Sequence, residues 1–144
     1  MRLSRFTDYS LRVLIYLGQN SESRVTINQI SEAYGISKNH LMKVVSNLTR
    51  LQFLTAQRGP GGGIQLNRLP EDISLDEVIG STEKHLQALV TENASGSAEV
   101  TAETRLNSFL RQALQAYLDE LGSFTLADVL EPQTDFKQLL QLNG

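Results

Sequence analysis

The chain has 144 residues, 40% of them hydrophobic, a net charge of −3 and no cysteine. That suffices for one ordinary domain, or a small domain with an extension, around a real core. No apolar run approaches the roughly 20 residues that cross a bilayer, and MRLSRFTDYS at the start lacks a signal peptide's apolar stretch, so no membrane partner and a cytoplasmic location are expected.

The spacing predicts a first helix over residues 7–19, with Val13, Leu14 and Leu17 on its apolar side. Asp8 falls in its first turn, where a carboxylate suits the helix dipole. Asn20 to Ser23 form a polar loop. Thr26 and Gln29 have capping-box spacing, so a second helix starts at Ile27, and Ile27, Ile30 and Ala33 share a face. Gly35 can take the positive φ that stops a helix. Ser37 can cap a third, with Leu41, Val44, Val45, Leu48 and Leu51 inward. Two helices across a short glycine-containing turn form the unit that sets its second helix in the DNA major groove.

Two β-prone runs follow, Phe53 to Gln57 and Ile64 to Asn67, around Arg58-Gly59-Pro60-Gly61-Gly62-Gly63. Such a glycine-rich hairpin tip can approach a phosphate backbone closely, and Arg58 beside it can enter a minor groove. Gly59, Gly61 and Gly62 are therefore placed on the DNA-facing side, and Thr26, at the start of the second helix, is counted among the DNA-binding candidates. Farther on, Ser74 and Glu77 have capping-box spacing, and Ile73 and Val78 hydrophobic-staple spacing, so a short helix is expected at about 75–82. Residues 91–101 read as a small, polar loop. A long helix over about 102–121 carries Leu106, Phe109, Leu110, Ala113, Leu114, Tyr117, Leu118 and Leu121 as a broad stripe, ended by Gly122. That stripe either packs on its own domain or pairs with a second copy, and the dimer reading is favoured. Thr125 and Asp128 cap one more short helix, Leu126 to Glu131.

Charge is unevenly divided. Residues 1–70 hold nine Lys or Arg against three Asp or Glu, whereas residues 71–144 hold four against thirteen. Positive charge coincides with the helix pair and hairpin, as counterion release from phosphates favours, and the acidic half should face away from DNA. Catalysis is not expected. There is no Cys nucleophile and no paired His, and the glycines lie within a hairpin rather than between a strand and a helix.

FTDYSLRVLIYL, YGISKNHLMKVVSNL, RGPGGGIQL and FTLADVL together resemble the winged helix-turn-helix transcriptional regulators of the NsrR/IscR type, the nitric-oxide-sensing repressor and the iron–sulfur assembly regulator of bacteria. The likeness spans essentially the whole chain and is strongest to the NsrR branch. It implies a mainly α fold with a two-stranded wing and a long dimerisation helix. Implied partners are double-stranded DNA and a second copy of the chain. The homodimer would bind a partly palindromic promoter site, usually as a repressor, and so lie on the bacterial nucleoid. It places Ser37, Lys38, Asn39 and His40 at the start of the recognition helix against bases or phosphates, continues that face with Lys43, and sets Arg2, Ser4 and Arg5 near the backbone. The expected division is a DNA-binding head at 1–82, a loop region at 83–101 corresponding to the family's cluster-binding loop, and a dimerisation helix with a short C-terminal helix at 102–144.

In many members that loop supplies three cysteines to an iron–sulfur cluster, and in the nitric-oxide-sensing branch an aspartate of the first helix completes the site. Asp8 stands at that position. Here the loop offers Asn93, Ala94, Ser95, Ser97, Ala98 and Thr104, none of which supplies a thiolate. His40 and His85 are the only imidazoles, so no cofactor and no metal site is expected, with Asp8 relevant only if a cluster is present. Two readings fit: a natural cysteine-free member, or a cluster-dependent nitric-oxide or redox sensor whose ligand cysteines have been exchanged. A protein-interaction module on the same fold, working through its acidic half, is a further alternative. The sequence leaves open whether a small-molecule effector sits between the head and the dimer helix.

Overall fold

The computed structural model describes residues 2–91 and 100–131. In chain order these form α1 (Arg5–Gln19), α2 (Ile27–Tyr34), α3 (Lys38–Arg50), β1 (Leu54–Gln57), β2 (Gly63–Leu66), a 3-10 turn (Pro70–Asp72), α4 (Leu75–Thr82), α5 (Lys84–Thr91), α6 (Ala102–Leu121) and α7 (Leu126–Leu130). The fold is mainly helical, with one two-stranded antiparallel sheet.

Local chemistry sets most of the boundaries. Thr26 and Gln29 form a reciprocal capping box, and Gly35 ends α2 at φ 66°. Ser37 accepts from the His40 N–H at 3.3 Å and opens α3. Between the two helices the Ser31 hydroxyl donates to the Ile36 carbonyl at 2.6 Å, which pins the turn while Ile36 is buried. Thr125 and Asp128 form a second capping box at α7. The first helix begins two residues earlier than its apolar spacing indicates, because Ser4 caps it and accepts from the Thr7 N–H.

One core unites these pieces. Val13, Leu14 and Leu17 of α1, Ile30 of α2, Leu41, Val44 and Leu48 of α3, and Phe53, Ile64 and Ile73 are buried together. Removing a side chain of this size from water stabilises by roughly 1.5–3 kcal/mol each before entropy is counted. The hairpin pairs Leu54 with Leu66 through Gln57 with Gly63. Val25, ahead of α2, bridges Ile64, with backbone bonds of 2.9 and 2.7 Å, and so anchors the wing to the helix pair.

Three expectations are revised. Ser74 makes no side-chain cap bond; Glu77 is instead drawn to the Arg68 guanidinium at 2.9 and 3.0 Å, and Arg68 lies 4.4 Å from the Phe53 ring centre. The region 83–101 is not wholly loop, because Lys84–Thr91 is α5; most of the polar stretch after it lies outside the described residues. Finally, α7 belongs to the head rather than to the dimer segment. Leu126 is buried in the main core, and the Leu126 N–H donates to the Ile73 carbonyl at 2.8 Å. Residues 132–144, the rest of that segment, lie outside the described residues.

The two caps therefore differ in weight. Thr26→Ala is expected to lower stability by about 1 kcal/mol, because it removes a formed cap. Ser74→Ala should leave the melting temperature close to wild type. Parallel thermal melts check both.

The apolar stripe of α6 divides in two. Leu114, Tyr117, Leu118 and Leu121 pack with Ile79 and Leu86 in a second, smaller cluster. Leu106, Phe109 and Leu110, toward the N-terminal end, stay exposed at 56%, 61% and 46%.

Glu83, between α4 and α5, is buried with 1% of its surface exposed. Its Oε1 accepts the Ser4 N–H at 2.7 Å, and the Thr7 hydroxyl donates to the Thr82 hydroxyl at 2.9 Å, so α1 is locked to the end of α4. Burial pushes the Glu83 carboxyl pKa up. The Ser4 N–H, the Thr7 and Ser4 hydroxyls and the nearby His85 pull it down by more, leaving it below the ordinary 4.5. A depressed carboxylate pKa stabilises the fold above the unfolded value, and that contribution is lost as pH falls through the folded value. The melting-temperature gap between wild type and Glu83→Gln is therefore expected to be full at neutral pH and to close below about pH 4.5. Melts in buffers spanning about pH 3 to 7 read it.

Candidate nucleic-acid interface

The exposed side of α3 follows from what its other side buries. With Leu41, Val44, Val45 and Leu48 inward, Lys38, Asn39, His40, Met42 and Lys43 face outward. His40 leans on Tyr9 of α1, with ring centres 6.0 Å apart and planes tilted by 35°. A small cleft of about 190 Å³ runs between the two helices. Phe6, Tyr9 and Val44 form its apolar floor, and Arg5, His40 and Lys43 its basic rim. A neighbouring depression places Arg2 beside Arg5, Asp8 and Tyr9. Folding thus gathers Arg2, Arg5, His40 and Lys43 into one basic strip, although they come from two separate parts of the chain.

Three expected contact residues have committed side chains. The Ser4 hydroxyl accepts from the Thr7 N–H and donates to the Thr7 hydroxyl at 3.1 Å. Thr26 Oγ1 accepts from the Gln29 N–H, and its own N–H donates to the Gln29 side chain at 2.8 Å. Ser37 Oγ caps α3. Each helps by fixing where a helix begins; Lys38, Asn39, His40 and Lys43 are the outward groups.

Steric needs shape the wing tip. The Gly62 N–H donates to the Gly59 carbonyl at 2.9 Å, closing a tight turn. Gly59 and Gly61 sit at φ 92° and 72°, in the left-handed region. A Cβ on Gly62 would collide with the Gln57 carbonyl oxygen and come within 2.7 Å of the Gly59 carbonyl oxygen. Arg58 is exposed at the base of this tip. A groove lined by Thr26, Ile27, Ala56, Gly59 and Gly62, among others, lies between the wing and the start of α2.

Tyr9 and Phe6 were missing from the sequence reading of this face. The signal was present, since Tyr9 stands one helical turn beyond Arg5, yet without the α1–α3 packing it reads as an ordinary core aromatic.

Asp8, the first-helix position implied for an iron–sulfur cluster, is already engaged. Asp8 Oδ2 pairs with Arg12 Nε at 3.0 Å, one turn along α1, and both side chains are about half exposed. The Arg12 guanidinium also lies 5.6 Å from the Tyr34 ring centre. No three His, Cys, Asp or Glu side chains converge among the described residues. Thr104 is occupied in the first turn of α6, where its hydroxyl donates to the Thr101 carbonyl at 2.9 Å. Asn93, Ala94, Ser95, Ser97 and Ala98 lie outside the described residues. With no thiolate in the chain, these residues do not fit a cluster.

No helix among the described residues is long and apolar enough to cross a membrane. The fold is similar to that of IscR from T. potens, at 24% identity and a TM-score of 0.71, covering 90% of this chain and 86% of that one. The oxidised form of Staphylococcus aureus CymR is similar at 26% identity and a TM-score of 0.67, with 92% and 98% covered. CymR (YrzC), the global cysteine regulator of B. subtilis, is similar at 24% identity and a TM-score of 0.66, with 90% and 96% covered. The winged-helix fold is common ground with these neighbours. The family model for Rrf2, described as an iron-dependent transcriptional regulator, matches residues 3–132. The chain therefore belongs to the Rrf2 family of transcriptional regulators, not to a family of enzymes.

Proposed function

We propose that this regulator is a homodimer that binds a partly palindromic promoter site and acts there as a repressor. The observation that carries the reading is the basic cleft between α1 and α3, where Arg5, His40 and Lys43 meet beside the outward face of α3. In this reading Lys38, Asn39, His40 and Lys43 meet the major groove or its phosphates. Arg58 enters the minor groove beside it, with Gly59, Gly61 and Gly62 letting the backbone come close. Arg2 and Arg5 hold the flanking phosphates. Thr26 and Ser37 set the helix starts, and Ser4 fixes the start of α1. The exposed Leu106, Phe109 and Leu110 of α6 support pairing with a second copy, and symmetric pairing supports a two-half-site operator. A cluster-dependent signal is not part of this proposal, since the chain lacks the thiolates.

Fluorescence anisotropy with a duplex from the regulator's own upstream region tests it. Lys43→Ala should reduce the slope of log affinity against log salt by about one unit, as loss of one phosphate contact requires. Arg58→Ala should weaken binding by roughly tenfold or more, with the lost preference concentrated at narrow A·T-rich positions. Binding that is independent of salt and unchanged in both variants would instead favour an interaction module working through the acidic half.

A further inference from the structure

A second, larger cleft opens on another part of the head, between the C-terminal end of α3, the start of α1 and the α4–α5 junction. It encloses about 780 Å³. Two buried polar atoms on its lining residues have no hydrogen-bond partner: Glu83 Oε2 and Asn47 Nδ2. Glu83 Oε2 lies 3.2 Å from Nδ1 of the exposed His85, but without an aligned hydrogen bond. Asn47 is oriented by its oxygen, which accepts from Arg50 Nη2 at 2.7 Å, so its amide N–H group is the unused end. A buried donor or acceptor left unpaired is costly, and each such group calls for a partner.

The set of charges narrows what that partner is. A lone anion would face the Glu83 carboxylate. A lone cation would face Arg50, Lys84 and the His85 ring, which line the same cleft, His85 already lying 3.2 Å from Glu83 Oε2. A metal ion finds no three-donor group among the described residues. An apolar molecule would leave both orphan atoms unsatisfied. A molecule with an ammonium group at one end and a carboxylate at the other satisfies both ends. Its N–H groups take the place of the exposed His85 ring that lies 3.2 Å from the covered Glu83 Oε2. Its carboxylate sits near Arg50 and Lys84 and accepts from Asn47 Nδ2 as the side chains covering it part, with Phe6 on an apolar side.

We propose that this cleft binds a small zwitterion of the α-amino-acid class, and that the bound ligand alters DNA affinity through α3. The coupling half rests on the DNA-binding reading above. Asn47 and Arg50 lie on the helix whose other end presents Lys38 to Lys43, so a ligand bridging them to the α4–α5 junction biases the position of α3.

The test has two readouts on the full-length protein. Calorimetry and thermal shift are run with each of the twenty proteinogenic L-amino acids up to about 10 mM, and with ethylamine and acetate as half-ligands. At least one amino acid is expected to bind saturably and raise the melting temperature, while neither half-ligand does. Glu83→Gln keeps an oxygen for the Ser4 N–H, and circular dichroism confirms that it folds. It should weaken amino-acid binding by about tenfold or more. In the second readout, the bound amino acid is expected to change wild-type affinity for duplex DNA by about fivefold or more, and to leave Glu83→Gln unaffected at the same concentration. No binding by any amino acid, equal binding by acetate, or unchanged binding in Glu83→Gln overturns the site. Binding that leaves DNA affinity unchanged overturns the coupling. A protein that binds amino acids but no DNA at all keeps the site and refutes the function it rests on.

Discussion

Replacing Phe109 and Leu110 of α6 together with glutamate should convert the protein to a monomer and weaken its hold on a two-half-site duplex by at least about a hundredfold. The size follows from linkage: two heads held on one scaffold bind the second half-site as an intramolecular event, commonly worth 10²–10⁴ in affinity. The direction follows from exposure, since Phe109 is 61% exposed and Leu110 46% on a helix whose other half is packed. Glutamate is a good helix former, so α6 itself should persist. Leu114→Glu is the contrasting change. Leu114 is 8% exposed and packs with Ile79 and Leu86, so this substitution should destabilise the fold. Sedimentation velocity, circular dichroism and anisotropy on the two variants separate loss of pairing from loss of folding. A Phe109/Leu110 double variant that remains dimeric would remove α6 from the interface.

Gly62→Ala should abolish tight DNA binding while leaving the head folded. Its Cβ would strike the backbone oxygens of Gln57 and Gly59, which are not flexible side-chain ends. The turn must therefore open, and the wing loses the shape that lets Arg58 approach a groove. The cost to stability should stay at about 1–3 kcal/mol, because the tip lies away from the main core. Gly61→Asn is the control. Gly61 sits at φ 72° with no heavy atom within 4 Å of a new Cβ, and Asn tolerates this region better than most residues. It should bind DNA within a few-fold of wild type. Equal losses for the two variants would show that the tip's composition, rather than its fold, is what DNA requires.

Much of the head was legible because its signals are local. The Thr26–Gln29 box, Gly35, Ser37 and the Thr125–Asp128 box act over three or four residues, and each boundary they mark is observed. Where a distant residue competes, local reading fails. Ser74 and Glu77 have the spacing of a box, yet Arg68, nine residues before Glu77, captures the carboxylate. The helix α5 was missed for a related reason. Glu83, which precedes it, is turned into the protein to hold Ser4, and Lys84–Thr91 is too short to stand out by period alone. A buried carboxylate has no sequence signature, because Glu at that spacing ordinarily reads as a solvated surface residue. The bridge from Val25 to Ile64 was equally invisible, since it spans 39 residues and is made by backbone groups that carry no side-chain signature. For α6 the stripe was correct, but its division into a packed and an exposed half depends on where α4 and α5 lie.

The same contrast applies to the interface. Arg58 and the start of α3 could be named from motif and charge, whereas the grouping of Arg5, Tyr9, His40 and Lys43 needed the packing of α1 on α3. That packing also bears on control, because the cleft holding Glu83 and Asn47 uses the opposite end of the same helix.

The most direct test of the central claim is selection of bound duplexes from a random pool by the full-length protein, followed by a salt titration on the enriched sequence. The account predicts an inverted repeat whose half-sites are centred about one helical turn, or a multiple of it, apart. It also predicts affinity that falls steeply with added salt, and loss of enrichment in Arg58→Ala. No enriched sequence, or an enriched site without two-fold symmetry that binds Arg58→Ala as well as wild type, would contradict it.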